Sequence, residues 1–249
     1  MELDPGLLLI LTVIWLLAGT IKGTVGIGMP TAAVGMMSQI IDPRAAIAMV
    51  VVPSMLTNAW QVWRSGDIPG AIQRYKSFLV CLVAMILVFS LGVTALIQTD
   101  TLIFVLGCVV VAFSAISLGW KPPKIAARYD RLGQVIAGSV AGALGGLTAI
   151  WAPPMIVYLT GRRVEKEEFV RASGLIIFVG TTPLLVTFSQ NGMMSGSDYL
   201  LGAAMTVPAL LGFQIGERIR SRLDTERFRI AVLILFLLLG LNLIRRALS

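Results

Sequence analysis

The sequence predicts an all-α integral membrane protein built from two inverted repeats, each a re-entrant or broken helical hairpin followed by three transmembrane helices. Three observations predict it: an apolar composition gathered into long blocks, a glycine- and proline-rich motif that occurs twice, and an uneven distribution of basic residues among the loops. Of 249 residues, 57% are apolar and 13% are charged, against about 25% charged in an ordinary soluble domain. A water-soluble chain of this size could not bury so much apolar surface.

The apolar residues fall in blocks at 6–21, 24–41, 45–63, 77–97, 101–120, 132–161, 168–189, 199–216 and 228–244. Several reach the ~20 residues needed to cross a bilayer core. Only Glu2 and Asp4 stand as charges before the first block, which lacks the basic flank of a cleaved signal peptide and reads as part of the mature fold. The net charge of +7 reflects 20 Lys and Arg residues held almost entirely in the connections, as membrane topology demands, so it implies no nucleic-acid partner. Cys81 and Cys108 lie inside apolar blocks and no histidine is present. They are expected to be small buried residues, with no disulfide framework, metal site or cofactor.

The chain repeats itself. Gly19–Pro30 (GTIKGTVGIGMP) aligns without gaps onto Gly142–Pro153 (GALGGLTAIWAP), pairing Gly19 with Gly142, Gly23 with Gly146, Ile27 with Ile150 and Pro30 with Pro153. A charged turn follows each copy, at 41–44 and 162–168, and three long apolar blocks come next. The repeats are 1–124 and 125–249 of one membrane domain. Proline removes a backbone donor and starts helices more readily than it continues them, and glycine permits non-helical dihedrals. Helix breaks are therefore expected near 23–29 and 146–152. Gly19, Gly23, Gly142 and Gly146 fit equally well as small-residue faces for helix packing.

Loop charges bear on topology. If segments 6–40 and 132–161 each cross once, the two sides carry nine and ten basic residues, and no orientation results. If each dips in and returns, the loops 64–76, 120–131, 162–171 and 217–229 share one side with sixteen basic residues, against three on the other. Short loops usually obey the positive-inside rule, which favours the returning hairpin. Two complete crossings per segment fit the charges equally, although ~15–17 residues per arm is short for that. Arg245 and Arg246 would then lie outside, against the rule. Trp60, Trp63 and Trp120 suit interfacial belts.

Irregular backbone at membrane depth survives only where protein or a water-filled cavity covers it, so two symmetric breaks suggest a central site. Helices starting near Met29–Thr31 and Pro153–Met155 would aim N-terminal N–H groups, which favour anions, at the breaks. Thr24, Thr31 and Thr148 supply hydroxyls and Trp151 an indole N–H. Lys22 stands one residue before the first break. An intramembrane charge marks a functional site, the alternative being a side chain snorkelling to the surface. Asn58 and Thr181 occupy matching positions of the repeat, and Gln61, Ser173, Thr182 and Gln214 are further polar groups in apolar blocks. Arg171 either lines the site or anchors a helix end with Glu167 and Glu168. The candidate substrate-binding residues are thus Lys22, Thr24, Gly26, Gly28, Met29, Pro30, Thr31, Asn58, Thr148, Trp151, Pro153, Pro154, Arg171 and Thr181. Together they favour a small anion. No Asp or Glu lies deep in an apolar block and no phosphate-binding loop is visible, which leaves no place for a carboxylate proton relay or ATP hydrolysis.

The stretch from LAGTIKGTVGIGMP to VWRSGD, together with GGLTAIWAPPMIVYLTGRRVEKEEFVRASG, resembles the two halves of the TauE/SafE sulfite-exporter family, with Pro153, Pro154 and Tyr158 in the expected places. The resemblance covers nearly the whole chain. It implies a secondary transporter of the plasma or inner membrane that exports sulfite, sulfoacetate or related organosulfonates. Where relatives often carry a glycine run, this chain has Ala149, Trp151 and Ala152, which could narrow or reshape the site. Uptake of the same anions is the alternative within transport. An intramembrane enzyme lacks any deep nucleophile–base or metal constellation, and a structural membrane partner leaves the symmetric breaks and Lys22 without a role. A homo-oligomer is compatible with this reading.

Overall fold

A computed structural model describes residues 4–93, 97–119, 122–192, 194, 196–222 and 225–248. Ten α-helices carry the fold, and no strand occurs among the described residues. They are α1 (Pro5–Val25), α2 (Met29–Met37), α3 (Pro43–Ser65), α4 (Ile68–Val88), α5 (Thr99–Gly119), α6 (Asp130–Thr148), α7 (Ala152–Gly161), α8 (Lys166–Gln190), α9 (Gly196–Arg222) and α10 (Thr225–Leu248). A π-turn (Phe89–Val93) extends α4, and a short 3-10 turn (Ala127–Tyr129) precedes α6. Five helices carry proline in the first turn, where its missing N–H is no loss. Asp42 caps α3 by accepting from the N–H groups of Arg44 and Ala45, and Asp67 caps α4 through Gly70.

Among the described residues, seven helices are long and apolar enough to cross a membrane: α1, α3, α4 with its π-turn, α5, α8, α9 and α10. Both broken segments turn where helix breaks are expected, near 23–29 and 146–152, and their arms are unequal. α1 has 21 residues against 9 in α2, and α6 has 19 against 10 in α7. The break follows glycine and proline chemistry rather than the segment's midpoint, and it leaves one long arm and one short arm in each copy.

The helix ends gather into two sets. The C-terminus of α7 returns to the start of α6, where Tyr158 Oη donates to Asp130 at 2.8 Å and Arg162 pairs with the same carboxylate at 2.7 Å. The end of α3 and the starts of α4 and α8 join them: Tyr75 donates to Glu168, Arg171 lies 3.8 Å from Asp67, and Gln134 donates to the Arg74 carbonyl. At the far ends of these helices, α2 meets α10 through Asn242–Gln39 and Arg246–Ser38. Arg44 at the start of α3 donates to the Ile97 carbonyl just before α5, and Asn191 at the end of α8 donates to that of Ser90 in the π-turn after α4.

Packing partners follow a rule. α1 lies along α9 and α6 along α4, while α3 faces α8 and α5 faces α10. Exchanging the first five helices with the second five reproduces the same pairs. The α1–α9 pair is parallel and very close: a Cβ on Gly19 would sit 2.0 Å from the Ala209 carbonyl oxygen, and one on Gly216 2.2 Å from that of Thr20. In the α6–α4 pair, Gly138 and Gly142 face the carbonyls of Phe78 and Leu82 equally closely. In a bilayer, helices associate through such backbone approach rather than hydrophobic exclusion, so the glycines expected either at breaks or at packing faces do the latter at 19, 23, 142 and 146. α5 and α10 cross antiparallel at Gly107 and Gly240, with Phe113 and Phe236 stacked 5.9 Å apart.

Trp60 and Trp63 are exposed and adjacent, as interfacial residues should be, whereas Trp120 lies outside the described residues. Cys81 and Cys108 are free but half-buried rather than buried.

Candidate functional site

The two breaks fall at residues 26–28 and 149–151. Each long arm ends on a left-handed residue at matching positions of the repeat, Gly26 (φ 91°) and Ala149 (φ 55°). Gly28 adds a second left-handed residue (φ 97°) as the N-cap of α2. The breaks meet. Ile27, Gly28, Pro30 and Thr31 from one, and Ala149, Ile150, Trp151 and Ala152 from the other, line a cavity of about 10 Å3. Ile177, near the middle of α8, completes its wall. This is a constriction, with room for about one water.

Beside it lies a buried lysine. Lys22 is 2% exposed, and its Nζ donates to Asn58 Oδ1 at 2.8 Å and to Thr57 Oγ1 at 3.4 Å. Asn58 is itself fixed, its Nδ2 donating to the Ser54 carbonyl at 2.7 Å. Thr57 also approaches the Met29 sulfur at 4.0 Å, tying this cluster to the start of α2. No carboxylate pairs with Lys22 among the described residues. The side chain does not snorkel; it crosses from α1 to α3 inside the protein. An ammonium taken out of water loses several kcal/mol of hydration, and two neutral oxygens return only part of that.

The other expected donors divide. Thr24 spends its hydroxyl on the Thr20 and Ile21 carbonyls, and Thr181 on those of Ile177 and Phe178. Thr148 donates to Leu144 and accepts from the Ile150 N–H, so it shapes the second break. Thr31, 1% exposed on the cavity wall, has no partner for its hydroxyl, and neither does Ser54 in α3. The α2 N-terminus has no side-chain cap. α7 is a poorer anion donor than expected, because Pro153 and Pro154 remove two first-turn N–H groups. Arg171 stands apart: it donates to the Ser65 carbonyl and pairs with Glu168 at 3.3 Å, which is the helix-anchoring alternative.

Sequence reading missed Ser54 and Thr57. Ser54, Thr57, Asn58 and Gln61 recur at helical spacing and form a buried polar stripe on α3, which the i, i+3, i+4, i+7 pattern could have revealed. Gln61 donates to the Val170 carbonyl. From Thr57 a cavity of about 230 Å3 opens between α3, α8 and α9, past Gln61, Arg64, Ser65 and Glu217. It leads from the face holding the α3–α4 connection toward the Lys22 cluster.

Helices capable of spanning a bilayer, packed around paired breaks and a buried cation, define a multi-pass membrane permease. The family model described as sulfite exporter TauE/SafE matches residues 11–243, and the chain belongs to that family. Comparison with curated proteins and with solved structures found no match.

Proposed function

We propose that this protein is a secondary transporter exporting small sulfur-containing anions, an organosulfonate such as sulfoacetate or sulfite, held near the midplane between the two broken segments. The observation that carries the reading is the buried Lys22 ammonium with only neutral partners. A buried charge without a counter-ion is costly, and a substrate anion would supply the missing charge. The uncapped α2 N-terminus and the free Thr31 hydroxyl add donors that suit an oxyanion. The family's description as a sulfite exporter supports the substrate class.

The same reading takes 1–124 and 125–249 as inverted repeats with the basic loops on the cytoplasmic side. The exchange-symmetric packing and the two sets of helix ends support it. An inside-negative potential favours anion exit by ~2.3 kcal/mol per charge per 100 mV, so export needs no further energy source. The test is anion flux in proteoliposomes loaded with sulfite, sulfoacetate, taurine or a carboxylate control under an imposed potential. Potential-dependent sulfonate or sulfite movement, reduced in Lys22→Ala, is expected. Folded wild-type protein that moves no anion, or a Lys22→Ala variant with wild-type flux, would overturn the reading.

A further inference from the structure

The register that aligns the breaks also aligns everything around Lys22. It pairs Lys22 with Gly145, Gly28 with Trp151, Ser54 with Ile177, Thr57 with Gly180 and Asn58 with Thr181. In the first half, a long cationic side chain leaves α1 and reaches Thr57 and Asn58 on α3. In the second half, both ends of that path are glycines, and an indole lies between them. A Cβ on Gly145 would fall 2.6 Å from Trp151 Cε3, and one on Gly180 would fall 3.6 Å from Trp151 Cε2. Leu82 and Ile86 of α4 close the same space, each within 3.4 Å of the Gly180 Cβ position.

We propose that Trp151 plugs the second-half counterpart of the Lys22 slot and thereby sets the size limit of the transported anion. This inference rests on the reading that Lys22 holds the anion. The polar lining is uneven between the halves: Lys22, Thr31, Ser54 and Thr57 correspond to Gly145, Pro154, Ile177 and Gly180 in the other, and Thr181, the counterpart of Asn58, spends its hydroxyl on its own helix. A bound anion is gripped from one side, and its body must fit against the indole. Trp151 is 2% exposed and also walls the 10 Å3 constriction, so no room remains for a bulky substituent. A compact anion such as sulfite or methanesulfonate needs the least widening of this constriction, and an aryl sulfonate the most. Removal of the indole would leave an apolar slot, lined by Leu82 and Ile86, of the shape that an aromatic ring fills.

The experiment compares methanesulfonate with benzenesulfonate flux in proteoliposomes of wild type, Trp151→Ala, Trp151→Phe and the double variant Lys22→Ala/Trp151→Ala. Wild type is expected to carry methanesulfonate and exclude benzenesulfonate. Trp151→Ala should raise the benzenesulfonate-to-methanesulfonate ratio by at least about tenfold, as small volume changes in apolar pockets do. Trp151→Phe should fall between, and it carries the test if the alanine variant does not fold. The double variant should lose both fluxes. A folded, methanesulfonate-transporting Trp151→Ala or Trp151→Phe with the wild-type ratio overturns the proposal while leaving the Lys22 reading intact. Wild type that carries no anion overturns both.

Discussion

Replacing Asn58 with leucine should destabilise the protein more than removing the charge that Asn58 serves. Lys22 Nζ keeps one short bond, 2.8 Å to Asn58, and one long bond, 3.4 Å to Thr57. Asn58→Leu leaves the ammonium buried with the long bond alone, a change of about 3–5 kcal/mol when a buried charge loses its partner. It also removes the Asn58 amide's bond to the Ser54 carbonyl, worth about 1 kcal/mol, leaving that carbonyl the longer 3.4 Å bond from the Thr57 hydroxyl. Lys22→Met instead removes the charge and leaves only the Asn58 carbonyl oxygen unpaired, at about 1–3 kcal/mol. The double variant Lys22→Met/Asn58→Leu has neither orphan and should lose less than Asn58→Leu alone. With ~2–4 °C of melting temperature per kcal/mol for a chain of this size, Asn58→Leu should fall by on the order of 10 °C in detergent. The assay is thermal unfolding of all four proteins at low salt and without substrate. If Asn58→Leu is no worse than Lys22→Met, or the double variant is worse than the two singles summed, Asn58 does not hold a charged lysine and the reasoning fails.

Two further outcomes follow from the backbone and the topology. Ala149 holds a left-handed conformation that costs an L-residue about 1–2 kcal/mol, so Ala149→Gly should raise the melting temperature by ~2–4 °C per kcal/mol recovered; a decrease would show that the methyl packs productively. In a background without native cysteines, single cysteines at Asp42 and Asn191 should react with an impermeant thiol reagent from one side of the membrane, and those at Gly66 and Arg163 from the other. Labelling of Asp42 and Arg163 positions from the same side would rule out the returning hairpins.

The breaks were legible in the sequence because glycine and proline act locally. Gly26, Gly28 and Pro30 end one helix and start the next within five residues, whatever surrounds them. Lys22 was legible because a lone charge inside an apolar run needs a reason. Ser54 and Thr57 were harder to single out, since hydroxyls in membrane helices commonly bond their own turn, as Thr24 and Thr181 do here; their spacing with Asn58 and Gln61 marks a polar stripe, but only tertiary placement shows that Thr57 meets the ammonium. Arg171 stayed ambiguous for a similar reason, because the Ser65 carbonyl that holds it lies 106 positions away in the chain.

The close parallel pairing of α1 with α9, and of α6 with α4, means that the halves are interleaved like clasped hands. Each half's broken hairpin is fastened backbone to backbone onto a helix of the other half. A half made alone would lack the helix that its glycine strip packs against, so fragments 1–124 and 125–249 should yield folded protein only when co-expressed. A rigid unit that keeps these pairs intact therefore draws helices from both halves of the chain, and a cut midway along the sequence falls inside such a unit rather than between two of them.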